Sequence, residues 1–175
     1  MTTLITAPPA PTEHTPYFGK YVSQVPQKDV LEALETQIRD ALELLRGIPE
    51  SKAGHRYAPG KWTIREVVGH LIDAERVFTY RAMRFGRADL TELPGFDENA
   101  YVPAGGFESR TLADLVSEWE HLRLSSLGMF RGLPAEAWDR RGVANGNPFT
   151  VRALAYVIAG HGYHHVKLLR ERYLT

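Results

Sequence analysis

The chain has 175 residues, 43% hydrophobic and 24% charged, which suits one compact domain with a single sizeable core. Lys plus Arg and Asp plus Glu balance at 21 each, so no global field gathers phosphate backbones or anionic lipid, and neither nucleic acid nor a membrane is expected as a partner. The absence of cysteine excludes disulfides, cysteine zinc sites and thiolate nucleophiles, so any sulfur chemistry needs a thiol from outside. Neither a leader pattern nor a run of about 18 apolar residues is present, and a cytoplasmic location is expected.

Residues 1–26 carry Pro8, Pro9, Pro11, Pro16 and Pro26 without a helical period. Because proline sets φ and withholds a backbone donor, this stretch is expected to be an extended N-terminal arm, anchored by Tyr17, Phe18 and Tyr21. Residues 27–175 are expected to form the folded domain. A first helix is predicted over 27–46, with Val30, Leu34, Ile38, Ala41, Leu42 and Leu45 three or four apart and Gly47 and Pro49 at its end. A second opens on a capping box formed by Thr63 and Glu66 and runs to about Phe85. A third begins near Thr111, carries Leu115, Trp119, Leu122 and Phe130, and stops at Gly132 and Pro134. A fourth follows Thr150 as N-cap and carries Leu154, Ile158, Leu168 and Leu169.

Four amphipathic segments and no alternating β-branched runs imply an all-α four-helix bundle. The linker from Gly86 to Arg110 is long for such a bundle, and its stretch from Pro94 to Tyr101 is a candidate rim over a site. Residues 136–147 are expected to hold one short helical turn.

Placement distinguishes the seven histidines. His161 and His165 lie one turn apart and roughly 40° apart around the fourth helix, the spacing of a chelating pair. They share a face with Leu154, Ile158 and Leu168 and therefore point inward. Two neighbouring imidazoles buried without partners would cost on the order of 1–3 kcal/mol each. His70 lies in the apolar stripe of the second helix and supplies a third inward imidazole. Three nitrogen ligands on facing helices, with no cysteine and no obvious carboxylate ligand, describe an open site for a divalent transition metal. His164, three residues after His161, flanks the same face and is the alternative ligand. His14, His55 and His121 read as surface residues.

Two motifs extend this picture. Residues 59–75, P-G-K-W-T-I-R-E-V-V-G-H-L-I-D-A-E, and residues 160–165, G-H-G-Y-H-H, make the chain resemble the DinB superfamily and its YfiT-like branch of metal-dependent hydrolases and thiol S-transferases. The resemblance implies an up-down-down-up bundle with one long crossover. It further implies a zinc or nickel ion on His70, His161 and His165, and a homodimer.

On that basis the expected activity is S-transfer, in which an external low-molecular-weight thiol attacks an electrophilic small molecule. The alternatives are hydrolysis by metal-activated water and a non-enzymatic metal-binding stress protein. Helper candidates are Asp73 and Glu75, close after His70, and Asp97 or Glu98 in the long linker. Arg81, about three turns beyond His70 on the same face, is the candidate for meeting a substrate carboxylate.

Overall fold

Each long helix starts on a side chain that accepts from the free N–H groups of its first turn. In the computed structural model, which describes residues 7–175, Asp29 caps α2 (Val30–Arg46) and Thr63 caps α3 (Ile64–Gly86). Thr111 caps α5 (Leu112–Arg131), and Thr150 caps α6 (Val151–Leu168). The box at α3 is reciprocal: the Glu66 N–H donates to Thr63 Oγ1 at 3.1 Å and the Thr63 N–H donates to Glu66 Oε2 at 2.8 Å.

Residue pairs across the helices establish their directions. Glu75 meets Trp119 and Arg123 while Thr79 meets Ser126, so α3 and α5 run parallel. Arg46 with Glu120 and Arg131 with Glu35 make α2 and α5 antiparallel. His70 against His161, with Gly86 close to Val151, makes α3 and α6 antiparallel. The bundle is up-down-down-up, and residues 87–111 form the long crossover that two successive parallel helices require.

The crossover is ordered: α4 (Glu98–Ala104) starts on Asp97, whose carboxylate accepts from the Asn99 N–H, and a 3-10 turn follows at Phe107–Ser109. Gly69 on α3 lets Phe107 close over it, since a Cβ there would lie 2.4 Å from the ring.

Two expectations for the irregular segments are corrected. The N-terminal segment is not extended: Pro11–Glu13 makes a 3-10 turn and Pro16–Val22 forms the helix α1, while residues 1–6 of the expected arm lie outside the described residues. Pro11 and Pro16 each open their element, where a missing N–H costs nothing and a preset φ favours the turn. Tyr21 is buried and Phe18 half-buried, but Tyr17 is 58% exposed and anchors little. The second correction concerns residues 136–147. A 3-10 turn at Ala135–Asp139 is followed by an antiparallel hairpin, β1 (Arg141–Ala144) and β2 (Asn147–Thr150). Asn145 and Gly146 at its tip have φ of 52° and 68°, the left-handed pair a two-residue hairpin loop requires. Leu93 of the crossover bonds this hairpin through Val143 O and the Asn145 N–H, at 3.0 and 2.9 Å.

The core divides into two apolar clusters. One gathers Leu34, Phe78, Phe130 and Leu154; the other gathers Leu42, Ile64, Leu115 and Val166. Between them the helices contribute polar residues at matching levels: Gln37, His70 and Glu75, Arg123, and His161 with His165, all buried. Among the described residues, no helix is long and apolar enough to cross a membrane.

Candidate metal centre

α3 and α6 cross where this polar belt meets the N-terminal helix. Gly160 permits the approach of α1, since a Cβ there would stand 2.0 Å from the Tyr21 carbonyl oxygen. Gly162 does the same for Gln37 of α2. With those helices drawn in, the imidazoles of α6 are enclosed, and Tyr21 packs edge-on against His161 at 5.2 Å. Trp62, just before α3, lies over His70 at 4.8 Å.

His70, His161 and His165 converge. His161 Nε2 is 3.0 Å from His70 Nε2 and 3.1 Å from His165 Nε2, and each imidazole is buried. Burial pushes the His70 pKa down to about 4. His161 and His165 are held well below the usual histidine range by burial and then by the neighbouring imidazoles. All three are therefore neutral at pH 7, and each offers a lone pair. Protons cannot satisfy this arrangement, because His161 Nε2 has one site and two close neighbours. A single cation satisfies all three. Ligand nitrogens about 2.0–2.1 Å from one ion stand roughly 2.9–3.4 Å apart, which matches the observed separations. Among the described residues this is the group of His, Asp or Glu side chains placed to hold a metal ion, and the donor set is all nitrogen. His165 Nδ1, on the far side of its ring, has no hydrogen-bond partner.

A cavity of about 290 Å³ opens onto His70 and His161. Phe18, Tyr21 and Phe78 form apolar walls, the crossover adds Phe96 and Glu98, and the hairpin tip adds Asn145. The linker expected to be a rim is thus part of the cavity wall.

The other sequence candidates separate. His164 turns toward α1, with Nδ1 3.3 Å from Gln24 Nε2, and stands outside the convergent group. Asp73 faces Arg76 at 3.9 Å, and burial raises its pKa. Glu75 is locked in an ion pair with Arg123, with contacts of 2.8 and 2.9 Å, and also accepts from Trp119 Nε1 at 2.9 Å. Asp97 is occupied as the cap of α4. Glu98 and Arg81 line the cavity. His55 and His121 are exposed as expected, whereas His14 is half-buried and bonds Thr15 O at 2.8 Å.

Sequence reasoning missed Trp62 as a cover for His70 and the hairpin as part of the cavity. The Asn145-Gly146 pair was the available signal for the hairpin.

Fold and site together define a four-helix bundle with a buried three-imidazole cluster at the base of an aromatic cavity. The DinB superfamily model matches residues 33–169, and the chain belongs to that superfamily. Among solved structures it is similar to YfiT from Bacillus subtilis, described as "a probable metal-dependent hydrolase with an unusual four-helix bundle topology". The TM-score is 0.65 at 20% identity, covering 93% of this chain and 91% of that one, a likeness of fold. No curated protein sequence matches the chain.

Proposed function

We propose that this protein is a metal-dependent enzyme acting on small molecules, with one zinc or nickel ion held by His70, His161 and His165. The observation that carries the proposal is the convergence of three neutral, buried Nε2 atoms beside a cavity. A divalent ion there supplies a Lewis acid that makes water or a thiol nucleophilic near neutral pH. The chain's own residues do the remainder: Trp62 and Tyr21 orient the imidazoles and exclude water from their flanks, and Phe18, Phe78 and Phe96 hold an apolar substrate.

An external low-molecular-weight thiol is the nucleophile we favour, because the aromatic walls suit an apolar electrophile and the chain has no cysteine of its own. The thiol gives up its proton, and its sulfur bonds the electrophilic carbon as the carbon–halogen bond breaks and halide leaves, or as the epoxide C–O bond opens to an alkoxide that takes up a proton. Hydrolysis is supported by a different observation, the Glu98 carboxylate in the cavity wall, a group able to act as general base for water. A homodimer belongs to the same proposal.

The test is elemental analysis of protein purified and then reconstituted with zinc or nickel, alongside His161→Ala. One ion per chain, lost in the variant, is the expected result. An unchanged metal content in His161→Ala refutes the assignment.

A further inference from the structure

Two arginines are buried in this bundle, and their surroundings differ. Arg123, 1% exposed, donates to Glu75, to Leu34 O and to Gln37 Oε1. Arg81, 4% exposed, makes one hydrogen bond among the described residues, from Nη2 to Pro94 O at 2.8 Å. Among the described residues no carboxylate lies within ion-pair distance of Arg81. A guanidinium has five N–H groups, and a buried charge without a counter-ion is costly. Its remaining donors are not sealed in protein, since none is among the enclosed unpartnered atoms, and the side chain lines the cavity. Phe78 and Phe96 flank the guanidinium carbon at 5.7 and 5.8 Å from their ring centroids.

We propose that the cavity takes a small organic carboxylate, with its carboxylate on Arg81, its apolar body against Phe78 and Phe96, and its other end at the imidazole cluster. Only the last element rests on reading that cluster as the reactive centre. The span is bounded: the Arg81 carbon is 5.7 Å from the Phe78 centroid, which is 6.3 Å from the His161 ring, so the two ends lie at most about 12 Å apart. A cavity of about 290 Å³ holds a molecule of that length but little more. A single planar cation matches a carboxylate through two parallel N–H···O bonds. A phosphate dianion fits less well at that end, because among the described residues Arg81 is the one Lys or Arg side chain in the cavity lining and Glu98 lines it too.

Calorimetry with 3-phenylpropanoate and its neutral amide, on zinc-loaded and chelator-stripped protein, tests this. Charge-assisted hydrogen bonds to one group are worth about 1.5–3 kcal/mol, so Arg81→Gln weakens acid binding roughly 10-fold to 100-fold. The variant leaves amide binding and metal content unchanged, and Arg81→Lys recovers part of the loss. The preference for acid over amide persists in stripped protein, where failure of the metal assignment would not touch it. The proposal is overturned if acid and amide bind alike, if the acid does not bind at millimolar concentration, or if acid affinity in the folded variants ignores Arg81. Acid binding that vanishes with the metal also overturns it, since the acid would then be ligating the ion. A merely structural role, holding the Pro94 carbonyl, would lower the melting temperature without changing the acid-to-amide ratio.

Discussion

Replacing Arg123 with Met removes the cation from the belt that supports the imidazole cluster. Glu75 would lose two contacts, at 2.8 and 2.9 Å, and keep only the Trp119 indole N–H. Leu34 O and Gln37 Oε1 would lose a donor as well. Both partners are essentially sealed, with side chains 1% and 3% exposed, so water does not replace what is lost. Breaking a buried pair from one side costs about 3–5 kcal/mol. For a domain of this size that lowers the melting temperature by roughly 6–20 °C. Urea denaturation of metal-free protein measures the loss directly. Glu75→Gln combined with Arg123→Met removes the stranded charge and recovers part of it, so the double variant is more stable than the sum of the two single losses implies. A cost below about 1 kcal/mol for Arg123→Met, or strict additivity in the double variant, would refute the view that this pair holds the belt together.

His164→Ala is expected to retain one metal ion per chain by elemental analysis, because that imidazole faces Gln24 and not the cluster. Metal-free protein should lose stability as pH falls from about 6.5 towards 4. The unfolded chain takes up a proton on His70 at the ordinary histidine pKa of about 6.5, whereas the folded protein resists until about 4. This contribution is intact above 6.5 and its loss reaches on the order of 3 kcal/mol from His70, read from melting curves across that range. Gly160→Ala drives a methyl group into the Tyr21 carbonyl and should cost about 1–3 kcal/mol in urea denaturation, displacing α1 from the cavity wall.

The sequence by itself determined the four long helices and the starts of three, because apolar spacing and Thr caps are local signals; the first helix begins at Val30 and not at residue 27, where the Asp29 cap was not recognised. It also brought out three inward histidines on two helices. Local order in the N-terminal segment was misjudged, since a proline that breaks a helix interior opens a helix equally well, and the docking of α1 depends on Gly160, well over a hundred residues away. The hairpin was overlooked because two four-residue strands carry almost no periodicity, leaving the Asn145-Gly146 turn as its signal.

Tertiary packing decided what each polar residue faces. Helical spacing places His164 and His165 on adjacent flanks of α6, and only the positions of α1 and α3 bring Gln24 to the first and His70 to the second. The same holds for Glu75 and Arg81 on α3. Both are buried charges on α3, but α5 brings Arg123 to the first, while the crossover brings the second a single carbonyl and an open cavity. Such pairings join residues tens of positions apart, and no local pattern encodes them.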